Sequence, residues 1–187
     1  MDIPRYDFTI GNRKPQGKAL CLKDSSMLIM EGIHGLNPEL TPLIPPKQKF
    51  QIYISALTQL NLDDHNRIST TDNRIIRRMV RDHQFRGTDP RKTIDMWSSV
   101  HRGEKHYIFP YQNNADAVFN SALDYELSVL KPYAEPLLKT VKPYHKEFTQ
   151  ARRLLAFLEH FYPIPSHFVP EHSILREFIG ESAYYEG

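Results

Sequence analysis

Residues Arg74–Gly87 read RIIRRMVRDHQFRG, and five of these fourteen residues are arginine. The whole chain of 187 residues carries a formal net charge of only +2, so this basicity is local. Place Arg74 at the zero of a helical wheel and advance about 100° per residue. Arg77, Arg78 and Arg81 then fall within about 60° of it, at the spacings that stack side chains on one helix face. Ile75, Ile76, Met79 and Val80 take the opposite wall. The stretch therefore predicts an amphipathic helix with one wall that packs and one of guanidinium. Thr70, Thr71 or Asp72 can cap its start, and Gly87 is placed just past its end.

Like charges at these spacings repel by a few tenths of a kcal/mol per pair, roughly. Asp72 and Asp82 are positioned to offset part of that repulsion. Arg86 lies in the exit turn, where the helix dipole favours a cation. An all-arginine face differs from an ordinary solvated one, which mixes Lys, Glu and Gln. Arginine presents a planar fork that binds phosphate or carboxylate with two hydrogen bonds, which lysine cannot do. The face is thus a candidate anion site, for polyphosphate or for nucleic acid.

Outward from this helix, the flanking residues alternate between strand and helix signals. Ser26–Met30 is a short apolar run that reads as a buried parallel-type strand. Pro38, Pro42, Pro45 and Pro46 exclude a helix after it. Phe50–Ile54 alternates and is rich in β-formers, a second strand. Residues 57–70 are polar and read as a loop or insertion. After the arginine helix, Asp89-Pro90 starts a second one, expected to run to about Arg102 and stop at Gly103. Ala115–Asn120 reads as a third short strand. The C-terminal third reads as helices broken by prolines at 132, 136, 143, 163, 165 and 170, with Phe148, Ala151, Leu155, Leu158 and Tyr162 as a core-packing stripe. The first twenty-five residues are polar and read as irregular. Together these make an α/β architecture with a helical tail.

Composition is that of a globular protein, 40% hydrophobic and 25% charged. One cysteine, Cys21, excludes an internal disulfide framework and suits a reducing, cytoplasmic setting. Neither an apolar run of spanning length nor a signal-peptide core is present, so no membrane partner is expected. Nine histidines raise the question of a metal, but His101 with His106, and His167 with His172, are five apart and cannot share a helix face. No HExxH or cysteine-based metal motif occurs.

Several segments, in order, resemble the uridine kinases of the phosphoribulokinase/uridine kinase family. Pro4-Arg5-Tyr6-Asp7-Phe8 with Arg13 is similar to their P-x-Y-D-F segment and following arginine. Met27–Ile33 looks like their hydrophobic strand ending in E-G-I. Arg77-Arg78-Met79-Val80-Arg81-Asp82 with Arg86-Gly87 resembles their lid helix, and Ala115–Asn120 a late strand after the lid. The match runs over about residues 4–121 and is closest to the bacterial uridine-kinase-like branch, whose C-terminus also resembles Ser173–Gly180. The resemblance implies a P-loop kinase fold that moves the γ-phosphate of Mg-ATP to a ribose 5′-hydroxyl. By position it implies that Tyr6 contacts the base and Arg78 the nucleoside. Arg81 and Arg86 would hold the triphosphate during transfer, and Glu31 would lie near the magnesium, acting on it indirectly. Two positions differ from the family: Gly11 stands where a histidine reads the base, and Arg86-Gly87-Thr88 replaces R-G-R.

The phosphate-cradling motif G-x-x-x-x-G-K followed by Ser or Thr does not occur. The one Gly-Lys, at 17–18, is followed by Ala19, and Asn12 takes the first glycine position. The expectation is a C-terminal portion of a kinase domain over 1–121, its P-loop segment missing, with a helical extension over 122–187 packed on it. Such a chain is expected to be inactive alone. An open strand edge and a bare sheet face would then favour self-association into a homo-oligomer. The rival reading is a non-catalytic RNA- or nucleotide-binding module that uses the arginine face as a phosphate track, although no aromatic stacking platform accompanies it.

Overall fold

In a computed structural model of the chain, the residues described are 2–7, 12–19 and 21–184, without the side chains of 2–7 and 13–19. The chain divides into two units, one up to Gly35 and one from Leu36.

The first unit holds an antiparallel hairpin, β1 (Asp2–Asp7) and β2 (Asn12–Ala19), where the sequence reads as irregular. Both strands contain proline, which cannot donate to a ladder and is tolerated at bulges. The register slips between Ile3 and Arg5, so Pro4 sits at the irregularity opposite the Pro15–Gly17 stretch. The strand expected over 26–30 does not form. Met27 and Ile29 are 89% and 86% exposed, in irregular backbone that continues through Glu31. An apolar run becomes a strand only by pairing, and no described strand pairs with it.

The second unit carries β3 (Ile52–Ser55) and β4 (Ala117–Asn120), paired in parallel with Ile54 opposite Phe119. Parallel strands need a crossover, and α1 (Thr70–Arg86) with α2 (Pro90–Tyr107) supplies it. Side chains at the two ends of β4, Asp116 just before it and Asn120 at its last residue, bond the backbone on either side of β3. Asp116 Oδ2 accepts from the Gln51 N–H at 2.7 Å, while Asn120 accepts from and donates to the Leu57 backbone, each at 2.9 Å. Phe50, Ile52, Ile54 and Phe119 are nevertheless exposed.

Ser69, rather than Thr70, Thr71 or Asp72, caps α1 by accepting from the Asp72 N–H at 3.3 Å. Gly87 ends it at φ +58°, in the left-handed region that glycine enters without strain, and Thr88 N–H closes the turn on Asp82 O at 3.0 Å. The expected stop of α2 at Gly103 is wrong. Gly103 stays helical, a cost of about 1 kcal/mol that packing overrides, and α2 runs to Tyr107, just ahead of Pro110.

Three more helices follow: α3 (Glu126–Lys139), α4 (Phe148–Glu159) and the single turn α5 (Arg176–Ile179). Ile75, Ile76, Met79 and Val80 of α1 are buried against Leu130, Leu138, Leu154 and Leu175. Each such side chain contributes about 1.5–3 kcal/mol, far more than the arginine repulsion opposes. In α4, Ala151 and Leu158 are buried as expected, joined by Leu154 and Phe157, whereas Tyr162 lies past the helix end, 89% exposed.

Pro132 and Pro136 lie inside α3 instead of breaking it. A proline at 132 removes the hydrogen bond that residue 132 would give to Ser128 O. That carbonyl instead accepts from the Ile164 N–H at 3.0 Å, so the lost helix bond docks the segment after α4. Pro132→Ala is therefore expected to gain less than about 1 kcal/mol, well short of the ~3 kcal/mol that separates the two residues in a free helix. A urea titration showing a gain near the full value would refute this.

Candidate functional site

The arginines of α1 do not form one uniform charged wall. Arg77 is buried, and its guanidinium binds Glu126 of α3 through Nε at 2.8 Å and through a second, closer nitrogen. The same group donates to Ser121 O at 2.6 Å and lies over the Phe178 ring, 5.1 Å from its centre. Asn73 donates to the other Glu126 oxygen. Burial pushes the Glu126 carboxyl up from its ordinary range, against the opposing pull of Arg77 and Asn73. Arg74 pairs with buried Glu104 of α2 at 2.5 Å. Arg74 and Arg77 thus serve as anchors to α2 and α3.

Arg78, Arg81 and Arg86 gather at the C-terminal end of α1 around one buried carboxylate, Asp82. Arg78 Nε lies 3.2 Å from Asp82 Oδ2, with Arg86 NH1 2.9 Å and Arg81 Nε 3.6 Å from Oδ1. Arg81 NH1 also reaches Glu177 of α5 at 3.2 Å. Three guanidiniums against the carboxylates of Asp82 and Glu177 leave one net positive charge. Asp72, read as a second offset on this helix, is instead bound by Arg153 of α4 at 2.5 and 2.6 Å.

The sequence separates these two sets incompletely. Asp82 stands four residues from both Arg78 and Arg86, and that spacing is visible in the sequence. Glu126 and Glu177 are distant in the chain, and no local signal pairs them with Arg77 and Arg81. With Arg74 and Arg77 bound to carboxylates, the helix offers a cluster at one end and no continuous phosphate track. Asn120 and Glu126 also line a cavity of about 50 Å³ at the C-terminal ends of β3 and β4. That volume suits a water.

A family model described as Phosphoribulokinase / Uridine kinase family matches residues 1–128. The chain belongs to this family. Comparison with the curated proteins and with the solved structures gives no match.

Membership makes the chain part of a family of kinases, in keeping with its α/β fold, parallel strand pair and helical tail. No helix among the described residues is long and apolar enough to cross a membrane. Of the five residues singled out from the sequence, the structure brings together Arg78, Arg81 and Arg86. Tyr6 belongs to β1, but its side chain lies outside the described residues, as does Gly11. Glu31 is not at a strand end; it is exposed in irregular backbone of the first unit. Among the described residues no three His, Cys, Asp or Glu side chains are grouped to hold a metal ion. The arginine cluster fits the phosphates of Mg-ATP by charge and fork geometry, while the magnesium has no ready ligand set among those residues.

Proposed function

We propose that this chain carries the lid and acceptor-side portion of a nucleoside kinase. The observation that supports this reading is the buried Asp82 carboxylate, which gathers Arg78, Arg81 and Arg86 at one helix end with net positive charge remaining. Mg-ATP, when bound, supplies the phosphoryl group, and its magnesium ion would offset part of the phosphate charge. The bond from the γ-phosphorus to the bridging oxygen breaks, a bond to the ribose 5′-oxygen forms as its hydroxyl proton passes to a base outside these residues, and ADP leaves. Arg81 and Arg86 neutralise phosphate oxygens during that transfer, and Arg78 orients the nucleoside; contact with the base is the role proposed for Tyr6. Fixing guanidiniums in advance is effective because phosphoryl transfer depends chiefly on positioning and electrostatic stabilisation. Glu31 belongs to the metal side of the same reading, through water.

The backbone cradle for the phosphates is a G-x-x-x-x-G-K motif, which these 187 residues do not contain. In this reading a separate P-loop segment supplies it, and this chain alone does not turn over. Isothermal titration is expected to find no micromolar affinity for Mg-ATP; finding it would overturn the need for an outside cradle. Millimolar inorganic tripolyphosphate is expected to shift the arginine side-chain NMR signals of Arg81 and Arg86. Arg86→Ala should weaken that binding about fivefold, as loss of one charge-assisted contact at a half-exposed site. Unmoved Arg81 and Arg86 signals would refute their phosphate role.

A further inference from the structure

The chain after Ser173 folds back onto the arginine end of α1. Leu175, Arg176, Phe178 and Ile179 are buried, whereas Glu177 between them is half-exposed. That alternation aims the Glu177 carboxylate at Arg81, with Oε1 3.2 Å from NH1. Two neighbouring contacts hold the segment in this register. Gln84 Nε2 donates to Ile179 O at 2.8 Å, and Arg176 donates to Val169 O at 2.6 Å and Ser166 O at 3.1 Å. Gly180 then turns away at φ +89°, where a Cβ would sit 2.8 Å from Gln84 Nε2. A side chain at 180 would therefore push on the residue that seats the segment.

We propose that residues 173–180 form an autoinhibitory strap whose Glu177 carboxylate occupies the Arg81 fork in place of phosphate oxygens. This inference rests on the phosphate role given to Arg81 above. Carboxylate and phosphate present the same acceptors to a guanidinium, so both compete for its donors. Asp82 lies 3.6 Å from Arg81 Nε, on a different nitrogen from the NH1 that meets Glu177. An exposed pair of this kind is weak, so the strap sets a threshold that polyphosphate overcomes by concentration.

The test is titration of the full chain with inorganic tripolyphosphate. Glu177→Gln keeps the size of the side chain and should tighten binding about two- to fivefold, the range of an exposed ion pair. Glu171→Gln removes the same charge from an exposed position of the tail without touching Arg81 and should leave binding unchanged. Arg81→Ala should weaken binding and abolish the gain from Glu177→Gln in the double variant. An unchanged affinity in Glu177→Gln, an equal gain in Glu171→Gln, or a gain that survives Arg81→Ala overturns the strap. If Arg81→Ala and Arg86→Ala both bind as the native chain does, or nothing binds, the phosphate reading fails and the strap with it.

Discussion

Replacing Arg77 by alanine is expected to lower the stability of the helical unit by about 3–5 kcal/mol, the usual cost of leaving one member of a buried ion pair alone. Glu126 would remain buried with only Asn73 and backbone neighbours to hold its charge. Ser121 O and the face of Phe178 would lose their cation at the same time. The cost should depend on pH, with a sign that follows from the direction of the Glu126 shift. Burial already raises its folded pKa above the unfolded value, and removing Arg77 raises it further. A carboxyl shifted upward contributes stability that is complete below its unfolded pKa and lost as pH rises through the folded one. The variant should therefore recover part of its deficit on going from about pH 7.5 to about pH 5, as Glu126 takes up a proton. Urea titrations followed by circular dichroism at the two pH values measure both effects. A loss below about 1 kcal/mol, or a deficit that grows on acidification, contradicts the buried pair. The double variant Arg77→Met with Glu126→Leu, which removes both charges and keeps apolar volume, should regain most of the loss.

Arg176→Ala is expected to cost about 2–3 kcal/mol, in the range of hydrogen bonds to a charged group. The buried guanidinium ties Ser166 O and Val169 O to the last helical turn, at 3.1 and 2.6 Å, and reaches the Glu181 carboxylate at 2.9 Å. Without it, Val169 O loses its Arg176 donor, while Ser166 O keeps the Val169 N–H at 3.0 Å. Arg176→Lys should restore only part of the loss, because an ammonium cannot spread donors over several acceptors in one plane. Hydrogen exchange supplies a second measure: the amides of Phe178, Ile179 and Gly180 should lose protection in the alanine variant before those of α3 do. Equal protection in native chain and variant would mean that apolar packing by Leu175 and Phe178 alone holds the segment.

The elements legible in the sequence are those specified by neighbours along the chain. Ile75, Ile76, Met79 and Val80 recur at helical spacing, Gly87 can take a positive φ, and Asp89-Pro90 combines a cap with a ready-made first helical residue. These signals located α1 and the start of α2, and alternation located β3. The kinase relationship is carried by the ordered family segments in the sequence. Apolar character in Met27–Met30 resembled a strand equally well, but strand formation depends on a partner that periodicity does not reveal. Pro132 read as a breaker because its rescue comes from the Ile164 N–H, which reaches it only after the chain has turned back.

For the arginines of RIIRRMVRDHQFRG, the sequence by itself determined the face, the spacing and the excess of charge. Tertiary structure alone decided which charges are spent. Helical periodicity states the angle at which a side chain leaves its axis; it does not state what arrives from elsewhere to meet it. Glu104, Glu126 and Glu177 arrive from three different helices, making Arg74 and Arg77 anchors and placing Arg81 under the tail. Only Asp82, carried on the same helix, was close enough in the chain for its pairing to be legible in advance.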